Sequence, residues 1–230
     1  MNTTHKSLVD PDVQKKWDHL LESGNDKLYP SLDLVRLEKW HFGGGGSGRL
    51  LEYACGLGVN LIHLLKCGYT VDAIDASPNA VARVERKLAA LPELRDRASL
   101  KVIDVNADKL PYADQTFDFV NCMNVLSLLG SAERVEALLA EFVRVMKPGA
   151  KIILDINGPL ADFAAKAKPL GGDAYLYGDP PVPTYCPASA DAFVSIVKPW
   201  FEITDVGFTH YKYCGGEIQE FIVCAHKHRE

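Results

Sequence analysis

The chain contains no Cys-x-x-Cys pair, no apolar run long enough to cross a bilayer and no surplus of basic residues. Its six cysteines, at positions 55, 67, 122, 186, 214 and 224, are scattered and several fall in strand-like runs, so buried reduced thiols are expected and a metal site is not. The longest uncharged apolar stretches have the length of strands, far below the about 20 residues of a membrane span, so no membrane partner is expected. Met1 to Gln14 is polar and lacks a hydrophobic segment; no signal peptide is expected, and a cytoplasmic location follows. With 25 Lys and Arg against 30 Asp and Glu, the net charge of −5 leaves no electrostatic footprint for nucleic acid. Repeats are absent, and the low-complexity content is confined to Gly43 to Gly46, a run that should be flexible and exposed. What remains, 230 residues of which 47% are hydrophobic, suits one globular domain.

Between Leu50 and Asp75 the chain reads LLEYACGLGVNLIHLLKCGYTVDAID. Leu50 to Ala54 is apolar enough for a buried strand, Gly56 and Gly58 allow a sharp turn close to a ligand, and Asn60 to Cys67 suits a returning helix closed by Gly68. A second strand then ends in Asp75, which follows Gly58 by 17 residues. A carboxylate at that tip accepts the hydroxyls of a ribose in nucleotide-binding folds; its other reading is a cap on the next helix. Two residues bear on which nucleotide. A dinucleotide site wants a small third residue where this chain has Leu61, and Glu52 would repel a pyrophosphate while attracting a cationic group.

Glu52-Tyr53-Ala54-Cys55-Gly56-Leu57-Gly58 resembles the first motif of the class I S-adenosylmethionine-dependent methyltransferases, an acid followed by three alternating glycines, with Ala54 in place of the first. Asn106-Ala107-Asp108-Lys109-Leu110-Pro111-Tyr112 and Phe117-Asp118-Phe119-Val120 are similar to that family's third-strand tip and fourth-strand opening. Arg144 to Gly149 with Lys151 to Asp155 resembles the approach to its fifth strand. The resemblance implies S-adenosylmethionine as cofactor, bound by Glu52, Ala54, Cys55, Gly56, Gly58, Asp75, Ala76, Asn106, Ala107 and Asn121. In that scheme Glu52 faces the amino group, Asp75 the ribose, Asn106 (or Asp104 as substitute) the adenine amino group, and the Ala107 N–H a ring nitrogen. Glu52 also reads as an interior acid paired locally, and Asp118 as a residue of the fold.

Strand-like runs at Leu50–Ala54, Thr70–Asp75, Leu100–Asp104, Phe117–Cys122 and Lys151–Ile156 alternate with helices, the clearest at Asn79–Leu91 and Ala132–Met146. Such alternation predicts an α/β fold, a doubly wound, mostly parallel sheet in three α/β/α layers with its ligand at the carboxyl ends of the strands. Phe201–Tyr213 and Glu217–His226, joined by Cys214-Gly215-Gly216, predict a C-terminal antiparallel hairpin, and the resemblance implies seven strands in all. Residues 1–48, with helices at Pro11–Glu22 and Ser31–Lys39, form a cap and Gly-rich linker; 49–230 form the binding domain, with an irregular substrate-side insertion at about 157–187.

The acceptor is less legible. Trp17, Gly24, Asn25, Tyr29, Pro30 and Ser31 resemble the lead-in of bacterial methyltransferases found among sugar and polysaccharide enzymes. In the insertion, Phe163, Tyr175, Tyr177 and Tyr185 offer hydroxyls and ring faces. Trp17, Tyr29, Tyr175, Tyr177 and Tyr185 are therefore the substrate candidates, with an ordinary amphipathic cap and a local apolar cluster as the plainer readings. Gly178-Asp179-Pro180-Pro181 resembles the tetrad of DNA amino-methylating enzymes but stands after the fifth strand, not the fourth, and reads as a turn. Methyl transfer from a sulfonium asks mainly for alignment and dryness, and a base only if the acceptor is an alcohol. Asp155, Tyr177 and His41 are the candidates for that base. The expected partner is a small-molecule methyl acceptor, a sugar or other metabolite, methylated on O or N; a homodimer is left open. The alternatives are a non-catalytic S-adenosylmethionine-binding module, an NAD-dependent oxidoreductase and a protein-interaction subunit.

Overall fold

A computed structural model describes Leu8 and residues 11–22, 28–104 and 107–229. Helices α1 (Pro11–Glu22) and α2 (Leu32–Leu37), the latter continued by a π-helical turn at Glu38–Phe42, lead into β1 (Arg49–Tyr53). There follow α3 (Val59–Cys67), β2 (Thr70–Asp75), α4 (Pro78–Ala89), α5 (Pro92–Arg95), β3 (Ala98–Val102), β4 (Phe117–Cys122), a 3-10 turn (Leu126–Leu129), α6 (Ala132–Val145) and β5 (Met146–Asn157). The last third comprises α7 (Asp162–Ala165), β6 (Lys168–Gly171), β7 (Ala174–Tyr177), β8 (Val182–Tyr185), α8 (Ala190–Val197), β9 (Glu202–Tyr213) and β10 (Gly216–His226).

Seven strands form one sheet in the order β3-β2-β1-β4-β5-β10-β9. The first five are mutually parallel, whereas β10 runs antiparallel to both β5 and β9. Side chains alternate between the two faces, so Leu50 and Leu51, both fully buried, enter different cores. Leu51, Val120, Leu154 and Val223 pack with Leu138 and Phe142 of α6 and Phe193 of α8. Leu50, Val71 and Ile153 pack on the opposite face with Leu61 and Leu64 of α3 and Val84 of α4. The predicted three layers are present. Ser77 caps α4 as its sequence position predicts, its hydroxyl accepting from the Ala80 N–H at 3.0 Å.

Three expectations are corrected. β3 ends at Val102, two residues before the predicted tip, which leaves Asp104 exposed beyond it. β5 begins at Met146, where the strand pairs with Phe117 before an irregularity accommodates Pro148 and Gly149. The insertion is not irregular: β6, β7 and β8 form an antiparallel sheet of their own. Its prolines, Pro169 and Pro183, sit on the two edge strands, where a missing N–H costs no ladder bond. From the described part of the N-terminal segment, Leu34 and Phe42 pack with Leu61, Leu64 and Leu65 of α3. Within the glycine run, Gly46 is docked: its N–H donates to the Cys67 carbonyl at 2.9 Å, and a Cβ there would overlap the Tyr69 ring.

Candidate active site

At the carboxyl ends of the parallel strands lies a cavity of about 740 Å³. Its floor is the β1–α3 loop, Ala54 to Leu57, together with Asp75, Ala76 and Ser77 after β2. Two unusual backbone conformations shape that loop. Ala54 has φ +57 and Gly56 φ +49, both left-handed, so the position where the first glycine is missing still adopts a glycine-like conformation. A Cβ on Gly56 would touch nothing, which leaves the loop open to a ligand, whereas one on Gly58 (φ +74) would meet Val84 Cγ2 at 2.7 Å. Gly58 thus serves helix packing and lies off the cavity wall. Leu61, in place of the small third residue, is fully buried against the second core.

Asp75 stands at the tip of β2, facing the turn of the β1–α3 loop. It lines the cavity, and its two oxygens accept the N–H of Gly56 at 2.8 Å and of Ser77 at 2.9 Å. Burial holds its pKa above the ordinary carboxylate value, against the backbone N–H bonds that lower it. Each oxygen keeps a lone pair for a further donor. Glu52 is different: it is 2% exposed and lies behind the wall, with its Oε2 accepting from Asn121 Nδ2 at 2.7 Å. Burial pushes its pKa up to about 8, although bonds from Asn121 and Asn60 favour the charged form. Asn121, fully buried, leaves its amide oxygen without a partner. Asn60 connects this pair to the cavity, since it lines the wall and accepts the Ser31 N–H at 3.0 Å.

Of the remaining cofactor candidates, Cys55 and Ala76 line the cavity. Ala107 does not; its N–H donates to the Asp104 carbonyl at 3.0 Å, so the donor expected to meet a ring nitrogen is already engaged. Asn106 lies outside the described residues, as do Gly24 and Asn25. Ile103 and Leu128 furnish apolar wall near this end.

Opposite the floor, the N-terminal segment and the insertion close over together. Asp18 of α1 accepts the Ser77 hydroxyl, the Asn79 N–H at 3.1 Å and the Asn79 side-chain amide at 3.1 Å, which seats α1 on the start of α4. Gln14 donates to the Ala76 carbonyl at 3.2 Å. Lys16 donates to the carbonyls of Tyr177 and Pro180 at 3.2 and 3.0 Å, tying α1 to the β7–β8 turn. Trp17, Tyr29 and Tyr177 consequently line the cavity, and Tyr177 packs on Phe163 with ring centroids 4.8 Å apart. Tyr175 and Tyr185 do not reach it. Tyr185 points into the first core, only 5% exposed, because β8 alternates its side chains between that core and the other face.

The three candidate bases also separate. His41 bonds the Ala225 carbonyl at 3.1 Å, far along β10 from the cavity, and burial lowers its pKa. Asp155 lies behind Asn124, whose N–H it accepts at 2.6 Å; burial first, then the Glu220 charge, raise its pKa well above the usual range. Tyr177 alone of the three is on the wall. Sequence reasoning missed Gln14, Asn60, Tyr211, Tyr213, Glu217 and Glu220, all of which line the cavity. The last four lie on a hairpin that overhangs the sheet: β5 ends at Asn157, opposite Glu220, while β10 begins at Gly216. The signal was strand length, since β9 and β10 have 12 and 11 residues against 5 in β1.

Among the described residues no helix is long and apolar enough to cross a membrane. Residues 51–154 match the family described as methyltransferase domain. The chain is 29% identical over 106 residues to the mitochondrial ubiquinone biosynthesis O-methyltransferase of Schizosaccharomyces pombe, covering 46% of this chain and 36% of that protein. It spans less than half the length of several curated relatives that it matches, this one included. Among solved structures, an S-adenosylmethionine-dependent methyltransferase from Methanosarcina mazei superposes with a TM-score of 0.70 at 22% identity, covering 88% of this chain and 100% of the other. The N-methyltransferase NodS from Bradyrhizobium japonicum, bound to S-adenosylhomocysteine, gives 0.66 at 13% identity, covering 94% and 98%. At these identities the superpositions speak for the fold.

Proposed function

We propose that the protein transfers a methyl group from S-adenosylmethionine to an oxygen or nitrogen of a small molecule, a reading supported by the match of residues 51–154 to the family described as methyltransferase domain and by the class I arrangement of the sheet. The observation that carries this reading is the continuity of one cavity: an open glycine loop and Asp75 at one side, aromatic side chains at the other. A volume of about 740 Å³ lies within the range of roughly 300–1,000 Å³ typical of ligand pockets. In this reading Asp75 receives the ribose, the Ala54–Leu57 loop faces the methionine portion, and Glu52 acts through Asn60 and Asn121 rather than by contact. Trp17, Tyr29, Tyr177, Tyr211 and Tyr213 would hold the acceptor, their ring faces and hydroxyls suiting a sugar or similarly hydroxylated metabolite. For an alcohol acceptor the base we assign is Glu220, a carboxylate on the wall beside buried Asp155. When bound, the cofactor supplies the activated methyl group; the protein orients the acceptor and excludes water.

Calorimetry with S-adenosylhomocysteine and with NAD tests the reading. Wild type is expected to bind the first and not the second, and Asp75→Ala to lose at least about tenfold in affinity. Asp75→Asn keeps one acceptor oxygen, enough for either the Gly56 or the Ser77 N–H, so its melting temperature measured beside its affinity separates ligand contact from loop support. Binding of NAD, or equal binding of S-adenosylhomocysteine by all three proteins, overturns the assignment.

A further inference from the structure

Away from the cavity, three side chains of different chemistry converge where the N-terminal segment meets α3. Glu38 opens the π-helical turn, His63 and Cys67 stand one helical turn apart on α3, and one donor atom from each lies within 4.8 Å of the other two. Glu38 is only 4% exposed, while His63 and Cys67 are partly open to solvent. The sulfur–imidazole separation is informative. Cys67 Sγ and His63 Nε2 are 3.6 Å apart. Zn–S and Zn–N bonds of about 2.3 and 2.0 Å across a tetrahedral angle put those two atoms about 3.5 Å apart.

We propose that Glu38, His63 and Cys67 bind a zinc ion, with water as the fourth ligand, and that the ion clasps the N-terminal segment onto α3. Thiolate, imidazole and carboxylate are the donors that zinc takes, and the two anionic ligands balance its charge. On binding, the thiol proton leaves to solvent and the sulfur lone pair forms the Zn–S bond. A supporting contact is already in place: the Tyr69 hydroxyl donates to Glu38 Oε1 at 2.9 Å, fixing the carboxylate and leaving lone pairs for the metal. The end of α3 is fixed as well, by the Gly46 N–H on the Cys67 carbonyl. Cysteine spacing hid this cluster, because its ligands come from a helical His-x-x-x-Cys and a distant glutamate in place of a Cys-x-x-Cys pair.

The test uses the full chain stripped of metal. Titration with Co²⁺ is expected to give one equivalent of tight binding, with tetrahedral visible bands and a thiolate-to-cobalt charge-transfer band that Zn²⁺ then displaces. Cys67→Ser should abolish the charge-transfer band, His63→Ala and Glu38→Gln should each weaken binding at least about tenfold, and Cys214→Ser, at an exposed cysteine outside the cluster, should change neither. Zn²⁺ should raise the melting temperature of wild type and not of His63→Ala. No charge-transfer band in wild type, a band that survives in Cys67→Ser, or equal Zn²⁺ affinity in His63→Ala overturns the proposal. Should Cys67→Ser fail to fold, the comparison of wild type with His63→Ala at the half-open position decides it.

Discussion

A carboxyl group shut away from water and bonded only to neutral amides keeps its proton well into the neutral range, and Glu52 is such a group. Burial lifts its pKa to about 8, against 4.5 for the free side chain. The folded protein therefore binds a proton at Glu52 that the unfolded chain releases between those values, and stability contributed by this group falls as pH rises from about 4.5 to about 8. Urea unfolding of wild type and Glu52→Gln across that range should show the gap moving steadily in favour of the glutamine variant; parallel curves would contradict the assignment. Ala54 carries a second local cost. Its left-handed φ of +57 disfavours any side chain by about 1–2 kcal/mol, while a glycine there would lose about 0.4–1 kcal/mol through the unfolded state. Ala54→Gly should therefore raise the melting temperature by about 1–3 °C, measured by calorimetry.

Among the elements, α1 is held by specific side-chain bonds, those of Asp18, Gln14 and Lys16 among them. Asp18 accepts from the Ser77 hydroxyl and from both the backbone and side-chain amides of Asn79, so Asp18→Ala should cost about 1–2 kcal/mol and detach α1 from α4, seen as faster hydrogen exchange in residues 11–19. Helices and central strands of this fold were legible because their signals are local: the apolar spacing of α6, the Ser77 cap, the Gly56–Gly58 turn. Asp75 was legible for the same reason, standing at the end of a readable strand. The elements that cover the cavity were not. The β6–β7–β8 sheet is built of strands of four residues, two of them with proline, and a pattern that short looks like loop. Tyr185 and Tyr175 were misplaced because composition shows aromatic content but not which face of a strand each side chain takes. Glu220, Tyr211 and Tyr213 escaped notice because the cavity reaches them through hairpin overhang, a matter of register between strands far apart in the chain.

At the scale of the molecule, the cavity has two walls of different origin, a floor from the first half of the sheet and a cover from the N-terminal segment, insertion and last hairpin. This division predicts separable effects. Tyr177→Ala should raise the KM for an acceptor found by screening about tenfold while leaving S-adenosylhomocysteine affinity within about twofold; a matching loss of both would mean that the cover also shapes the floor. The order of the sheet has a further consequence, for the chain as it is made. β10 lies between β5 and β9, so β9 emerges from the ribosome with no neighbour to join, and waits until residues 216–226 have been synthesised. A stop near Gly215 would strand the whole of residues 202–213, and quality control would meet one long unattached ribbon carrying the exposed Phe208.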